Sequence, residues 1–142
     1  MIHLEAQIHP SVRIWNEHLS NIGKCKIGEH CVIHSHVWIG DDVEIGDGVK
    51  IQAFSFIPLG VTIEGGCFIG PRVTFTNDKN PPSRGQSWSK TRVCENVSIG
   101  AGAVILPGIT IGAGAVIGAG SVVTKSIPAF EVWVGNPAHK LE

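Results

Sequence analysis

An apolar residue falls on every sixth position along most of this chain. One run at this spacing begins at Ile27 and ends at Phe75, and a second extends from Val93 to Val123. Four positions after most of these residues stands a second, usually small one. An amphipathic helix needs apolar residues three and four positions apart, and a half-buried strand needs them two apart. A period of six with two inward positions is typical of hexapeptide β-helices instead.

This period predicts an all-β fold, a parallel β-helix in which three hexads close one triangular coil of about eighteen residues. The inward residues of successive coils then stack about 4.8 Å apart. We expect the β-helix to span residues 1–127. Pro128 breaks the rhythm, so residues 128–142 are expected to form a C-terminal extension that covers the open end of the solenoid. Ile14 and Ile27 are thirteen residues apart, one too many for two hexads, which predicts a one-residue bulge between them.

Charge and cysteine content narrow the classes of function. Only 16% of the residues are charged, against about 25% in an average soluble domain, so we expect surface to be buried between copies of the chain. The formal net charge of −1 argues against a nucleic-acid partner. No apolar run approaches the roughly 18 residues of a membrane helix, and the N-terminus lacks a signal-peptide pattern. The four cysteines form no CxxC pair, which predicts a reduced, cytoplasmic protein.

The hexad spacing also places the cysteines. Cys31 and Cys67 both take the small inward position and are 36 residues apart, which is two whole coils. We expect them in one buried column, with Cys25 also inward and Cys94 outward as a free thiol. No disulfide and no metal site is expected from this arrangement.

The rhythm stops within TFTNDKNPPSRGQSWSKTR, residues 74–92. Pro81 and Ser87 stand where apolar residues are expected, and the rhythm then resumes in phase at Val93. From Phe75 to Val93 is eighteen residues, which we interpret as the length of one coil. A loop over about residues 76–92 should therefore project from the prism and return to the next coil. Loops of this length are uncommon in compact domains and are usually functional.

The hexads resemble those of the hexapeptide-repeat acyltransferases. The segments FIGPRVTFTND and GAGAVILPGITIGAGAVIGAGSVVTKSIP are more specifically similar to the nucleotide-sugar N-acetyltransferases. This resemblance implies a left-handed β-helix, a homotrimer with sites between subunits, and acetyl-CoA as co-substrate. It also implies acetylation of a 3-amino sugar linked to UDP or dTDP, in surface-polysaccharide synthesis. The hexads alone are shared with γ-class carbonic anhydrases, but the paired histidines five residues apart that those enzymes need are missing here.

The resemblance implies that Asn77 holds the sugar amine near the thioester. An amine with a pKa of about 7.7–8.0 is already partly neutral near pH 7, so it needs orientation more than it needs a base. The amide oxygen of Asn77 can accept an N–H hydrogen bond and thereby orient such an amine. The alternative is a turn residue at the start of the loop. His36 lies in a segment that resembles the family's sugar site, and it is either a base or substrate contact, or a surface histidine.

Further residues are assigned to the two substrates. Substrate-binding candidates are polar or aromatic residues of the loop and of the prism surface it leaves: Asp78, Arg84, Gln52, Phe54 and Trp88. The charged pair would hold sugar hydroxyls or a diphosphate, and Trp88 would stack on the nucleotide base; all three have plain surface roles as alternatives. Cofactor-binding candidates are small residues that let pantetheine approach the backbone, and a lysine for CoA phosphates: Ala101, Gly102, Ala119 and Lys125.

Three functions remain open from the sequence. The first is an acetyl-CoA-dependent N-acetyltransferase for a nucleotide-linked amino sugar, working without a metal. The second is an O-acetyltransferase of the same fold, which would need a histidine base such as His36. The third is a non-catalytic β-helix that serves as a scaffold subunit, which leaves the long polar loop without a role.

Overall fold

Twenty short strands, most of them two residues long, and one 3-10 turn at Glu17–Leu19 make up the regular structure. The computed structural model describes residues 1–142. In chain order the strands are β1 (Gln7–Ile8), β2 (Arg13–Ile14), β3 (Asn21–Ile22), β4 (Lys26–Ile27), β5 (Val32–Ile33), β6 (Trp38–Ile39), β7 (Glu44–Ile45), β8 (Lys50–Ile51), β9 (Phe56–Ile57), β10 (Val61–Ile63), β11 (Phe68–Ile69), β12 (Thr74–Phe75), β13 (Thr91–Val93), β14 (Ser98–Ile99), β15 (Val104–Ile105), β16 (Thr110–Ile111), β17 (Val116–Ile117), β18 (Val122–Val123), β19 (Val132–Gly135) and β20 (Ala138–Lys140).

Every third strand joins the same sheet, so three sheets form the sides of a prism. We name the faces by their outward side chains. The polar face contains β1, β4, β7, β10, β13 and β16, and the apolar face contains β3, β6, β9, β12, β15 and β18. The mixed face contains β2, β5, β8, β11, β14, β17, β19 and β20. Neighbouring strands are parallel except β19 and β20. This confirms the predicted left-handed parallel β-helix of hexapeptide repeats.

The three faces differ in the side chains that they point outward. Polar side chains line the polar face, and they include Lys26, Glu44, Thr62 and Arg92. Bulky apolar side chains dominate the apolar face, and they include Trp38, Phe56, Val104 and Val122. The mixed face alternates both kinds, as in Lys50, Phe68, Ser98 and Val116.

The inward residues stack in register from coil to coil. On the mixed face Ile33 pairs with Ile51, which pairs with Ile69 in the next coil. These three isoleucines are completely buried. Each such side chain contributes roughly 1.5–3 kcal/mol to folding, and the interior forms one continuous apolar cluster along the prism. The period of six in the sequence is therefore the period of the core.

The loop coil departs from the predicted length. Ile63 pairs with Val93, and Phe75 pairs with Ile105, so the partners in this coil are thirty residues apart. The interpretation of Phe75 to Val93 as one coil's length was wrong, since these residues lie on adjacent faces. The segment replaces a single corner between the apolar and polar faces, and it adds twelve residues to an eighteen-residue coil.

The predicted irregularity in the first coils is present, but it has two parts. Ile22 is buried at the inward position of β3, eight residues after Ile14 and five residues before Ile27. The 3-10 turn accounts for the longer step because it lies between β2 and β3. The step from Ile14 to Ile22 is two residues longer than a hexad, and the step from Ile22 to Ile27 is one residue shorter. The two steps together therefore contain one extra residue, as the sequence indicated.

The C-terminal extension continues the prism on one face. Trp133 in β19 pairs with Ile117 and is 8% exposed, so it stacks on the last coil. β20 then folds back and pairs with β19 in antiparallel fashion. The extension therefore adds a final layer to the mixed face, and the outer edge of that layer is occupied by β20.

The cysteines lie where the hexad spacing puts them. Cys25, Cys31 and Cys67 are buried, Cys94 is half-buried, and all four are free thiols. Burial raises the pKa of Cys25 and of Cys67 to about 11, so these thiols stay protonated at neutral pH. No group of three or more His, Cys, Asp or Glu side chains is arranged to hold a metal ion. The structure contains no helical segment that could span a lipid bilayer.

Candidate active site

The predicted site residues lie along the two edges of the apolar face. The mixed–apolar corner comprises the turns that lead into this face: residues 34–36, 52–54, 70–72, 100–102 and 118–120. The apolar–polar corner comprises the turns that leave it: residues 40–42, 58–60, 106–108 and 124–126, with the long loop at 76–90. His36 lies on the first corner and Asn77 lies on the second. A single chain therefore does not bring the two expected catalytic residues together.

A groove of about 480 Å³ opens beside Asn77 at the apolar–polar corner. Trp38 and Phe56 form its floor and stack on each other, with ring centroids 4.9 Å apart and an interplanar angle of 21°. Leu59 and Trp88 line the same groove. The groove therefore joins the amide of Asn77 and other polar side chains (His3, Asn21 and Asp41) to a broad aromatic surface, a combination suited to a ligand with both polar groups and flat faces.

Asn77 keeps most of its hydrogen-bonding capacity free. Its Nδ2 donates to the backbone oxygen of Leu59 at 3.5 Å, the limit for such a bond. No other hydrogen bond of this side chain is formed within the protein. The backbone is held more firmly, because the amide of Ser89 donates to the oxygen of Asn77 at 3.0 Å. The side chain is thus positioned by the loop base, and its Oδ1 remains available to accept.

Trp88 reaches the groove because the two ends of the loop pair with each other. Asp78 and Trp88 form an isolated antiparallel bridge directly beside the bond between Ser89 and Asn77. The indole is 48% exposed, so it retains open ring surface. The predicted stacking residue and the predicted amine-orienting residue therefore lie side by side.

Asp78 is occupied by the loop itself. Its carboxylate accepts hydrogen bonds from the Ser87 hydroxyl at 2.6 Å and from the Ser83 amide at 2.8 Å. Desolvation opposes ionisation, but these hydrogen bonds, with that from Asn80, outweigh it and lower the pKa of Asp78 to about 2. Arg84, the other expected sugar or diphosphate ligand, is exposed on the outer part of the loop.

His36 belongs to a column on the mixed–apolar corner. Its ring stacks on Phe54 with centroids 4.7 Å apart and an interplanar angle of 13°. The guanidinium of Arg72 lies 5.5 Å from the same phenyl ring on the next coil. Gln52 is half-buried two residues before Phe54 on this corner. Two predicted substrate residues therefore accompany His36, rather than Asn77.

Sequence reasoning missed Arg72, Trp38 as a groove residue, and Phe56. Arg72 follows His36 and Phe54 at steps of eighteen residues, so the coil length alone would have aligned the three. Trp38 and Phe56 are also eighteen residues apart, at outward strand positions. The outward positions of the repeat therefore carry the signal that aligns these side chains.

Three of the four predicted cofactor residues lie together. Ala101, Gly102 and Ala119 are exposed on the mixed–apolar corner, in the coils beyond Arg72. A Cβ atom added to Gly102 would meet nothing within 4 Å, so the corner is bare at this position. Lys125 instead lies on the apolar–polar corner, with its ammonium 5.3 Å from the Trp133 ring centroid.

The family model of the bacterial transferase hexapeptide (six repeats) matches residues 24–59 and 90–125. These two segments make up half of the chain, and the gap between them contains the long loop. The chain therefore belongs to the bacterial hexapeptide-repeat transferase family.

Curated relatives with sequence similarity are acetyltransferases. The chain is 40% identical to the galactoside O-acetyltransferase of Lactococcus lactis subsp. lactis (strain IL1403) over 74 residues, which are 48% of this chain and 36% of that protein. It is 38% identical to the serine acetyltransferase of Staphylococcus aureus (strain Mu50) over 96 residues, 65% of this chain and 45% of that protein. The matched segments span less than half the length of these relatives.

Solved structures resemble the chain over nearly all of its length. PerB from Caulobacter crescentus, in complex with CoA and GDP-perosamine, superposes with a TM-score of 0.72 at 28% identity, covering 99% of this chain and 56% of that one. AntD, an N-acyltransferase from Bacillus cereus in complex with dTDP and CoA, gives a TM-score of 0.74 at 24% identity, covering 95% and 78%. At its lower identity, AntD supports the shared fold alone.

Proposed function

We propose that this protein transfers an acetyl group from acetyl-CoA to the amine of a nucleotide-linked amino sugar. The observation that carries this proposal is the groove in which the free amide of Asn77 stands beside three aromatic rings. The similarity over 99% of the chain to a structure holding CoA and GDP-perosamine supports it. An amine at carbon 3 of the sugar and a role in surface-glycan precursors belong to the same proposal.

In the reaction, the neutral amine attacks the thioester carbonyl carbon, and a C–N bond forms. The tetrahedral intermediate collapses as the C–S bond breaks, and the departing CoA sulfur takes up the amine proton. Asn77 would hold the attacking amine through an N–H···Oδ1 hydrogen bond. Orientation of this kind is effective because it converts a bimolecular step into one between held groups. His3 and Asp41 also line the groove, but an amine near its own pKa is already partly neutral and needs no side-chain base.

Acceptor binding would use the aromatic surface. Sugar and nucleobase rings present flat faces, and Trp88 and the Trp38–Phe56 stack offer flat faces in return. From the outer part of the loop, the guanidinium of Arg84 would bind the diphosphate, since guanidinium groups pair well with phosphate oxygens. The aromatic groove and the exposed arginine support a nucleotide sugar over a small alcohol or amino acid.

Acetyl-CoA would use the bare part of the mixed–apolar corner. Pantetheine is a narrow chain with amide groups, and it needs close approach to backbone atoms, which Ala101, Gly102 and Ala119 permit. Lys125 lies on the other edge of the apolar face, so it would meet the cofactor only across that face or between subunits.

We further propose a homotrimer with sites between subunits. The apolar face exposes Trp38 and Phe56, at 39% and 38%, on a chain with few charged residues. A subunit packed against this face would cover it and would bring a second mixed–apolar corner towards the groove. The four free thiols fit a reducing, cytoplasmic location.

O-acetyl transfer is the second candidate function, and His36 is the observation that favours it. Its imidazole is exposed, and two curated relatives bear the names galactoside O-acetyltransferase and serine acetyltransferase. A hydroxyl acceptor needs a general base near pH 7, which histidine provides. A scaffold role is the third candidate, and it predicts no turnover with any acceptor.

One assay separates the three functions. Thiol release from acetyl-CoA is followed with GDP-, UDP- and dTDP-linked sugars, each supplied in an amino form and in the matching hydroxyl form. We expect release with at least one amino form and with none of the hydroxyl forms. Release with hydroxyl forms alone would establish O-transfer, and no release with any acceptor would favour the scaffold.

A further inference from the structure

The two ends of the long loop, residues 77–78 and 87–89, pair to form a neck. This neck is closed around the carboxylate of Asp78. Oδ1 of Asp78 accepts from the Ser87 hydroxyl at 2.6 Å and from the Asn80 amide at 3.2 Å. Oδ2 accepts from the Ser83 amide at 2.8 Å. All the hydrogen bonds of this side chain therefore come from the loop, and both oxygens are used.

The serines that bind Asp78 also bind each other. The Ser83 hydroxyl accepts from the amide of Ser87 at 3.1 Å, which ties the outer turn to the returning strand. The four ion pairs of the protein do not involve Asp78. Lys79, Arg84 and Lys90 are exposed, so hydrogen bonds rather than ion pairs close the loop.

Closure has a consequence for the groove because the groove residues adjoin the neck. Asn77 precedes Asp78, and Trp88 follows Ser87. Asp78 pairs with Trp88 across the neck, and the backbone of Asn77 pairs with Ser89. If the neck opened, Trp88 would lose the partner strand that holds it beside the Trp38–Phe56 stack.

We propose that Asp78 is a positioning residue that keeps the loop closed and thereby fixes Trp88 in the acceptor groove, without contacting the substrate. The acceptor part of this proposal rests on the proposed function. It replaces the expectation that Asp78 holds sugar hydroxyls, since its oxygens already have three partners. The loop closure itself is independent of any substrate.

The test compares four variants of the full chain. Asp78→Ala removes the carboxylate, and Asp78→Asn keeps its size but cannot accept at both positions. Ser87→Ala removes the donor of the 2.6 Å bond. Ser89→Ala is the matched control, because its hydroxyl makes no hydrogen bond although it lies on the same loop. Thermal unfolding is used to check that each variant is folded. We expect all four to fold, because these residues lie outside the stacked columns.

Two measurements need no substrate. The first is the rate of trypsin cleavage after Lys79 and Arg84, and the second is acrylamide quenching of Trp88, obtained by difference from a Trp88→Phe background. Losing a hydrogen bond to a charged group favours the open form about tenfold or more, and cleavage of a transiently open loop follows its population. We expect faster cleavage and stronger quenching in Asp78→Ala and Ser87→Ala, a smaller change in Asp78→Asn, and none in Ser89→Ala.

The third measurement is steady-state kinetics. An opened loop should raise the KM for the acceptor about tenfold while the KM for acetyl-CoA stays unchanged. If Asp78→Ala raised the acceptor KM but left cleavage and quenching at wild-type values, Asp78 would be a substrate ligand and the proposal would be overturned. An opened loop with an unchanged acceptor KM would also overturn it. If the wild type transferred no acetyl group, the proposed function would fail, while cleavage and quenching would still decide the closure.

Discussion

At the residue scale, Thr91 is an exception within the core. It is 2% exposed at the inward position where the loop returns to the polar face, and its Oγ1 is buried without a hydrogen-bond partner. Its neighbour in the same column is Val61, which has nearly the same shape. A buried hydroxyl without a partner is destabilising, since it has lost its bonds to water.

Thr91→Val should therefore raise the free energy of unfolding by about 1–2 kcal/mol. Urea unfolding followed by circular dichroism measures the change. Thr91→Ser serves as the control, because it keeps the hydroxyl and removes a methyl group, and it should lower stability. A less stable Thr91→Val variant would mean that the hydroxyl has a partner in solution.

Asn77 is the residue on which the proposed chemistry depends. Asn77→Ala should lower kcat/KM by roughly one to three decades, as expected on losing one positioned polar group. The fold should be unaffected because residue 77 lies outside the stacked columns, and binding of acetyl-CoA by calorimetry should change little. Full activity in this variant would contradict the assigned role.

The pH dependence separates orientation by Asn77 from proton abstraction by His36. In the wild type, kcat/KM should rise with pH and level off near the pKa of the sugar amine, since the neutral amine is the nucleophile. His36→Ala should keep the shape of this profile even if the rate falls. If a limb of the wild-type pH profile were missing in His36→Ala, His36 would be the base that removes the amine proton.

At the element scale, the sequence predicts the inside of this protein better than its outside. The inward columns follow from local spacing, because only a coil of three hexads places Ile33, Ile51 and Ile69 in one stack. The corner on which Asn77 lies could be anticipated from the break in the six-residue period. The Trp38–Phe56 stack also follows from the eighteen-residue spacing of its two rings. The placement of Trp88 does not, because it depends on how the loop folds back over the prism and on the hydrogen bonds of Asp78.

The loop should be removable without loss of the prism. Deleting residues 77–88 restores the spacing of six from Phe75 to Val93, and Lys90→Gly supplies glycine at the corner position where Gly60 and Gly108 have positive φ. The shortened chain should keep its strand signal and a cooperative thermal transition, and it should lose acetyl transfer. An aggregated product would show instead that the loop is needed for folding.

At the scale of the whole molecule, the three faces have different roles to play. The polar face can remain in water, whereas the aromatic and aliphatic side chains of the apolar face gain by being covered. A closed ring of three copies covers this face in every subunit and leaves no open end.

Sedimentation should therefore give a trimer at micromolar concentration. Val104→Glu on the apolar face should shift the protein towards monomer, because a charge buried at an interface without a partner is costly. Thr110→Glu on the polar face is the matched control and should leave the trimer intact. A monomeric wild type would contradict both the interface and the sites between subunits.

The turn at the end of the last layer limits how this protein can assemble lengthwise. A stack of parallel coils is a repeating template, and another chain could in principle continue it indefinitely as a fibre. Here β20 already occupies the outer edge of β19, and it runs in the opposite direction. An incoming coil would need to displace this hairpin before it could pair in parallel. On the mixed face, the hydrogen bonds that build the prism are thus not available for parallel continuation beyond β19.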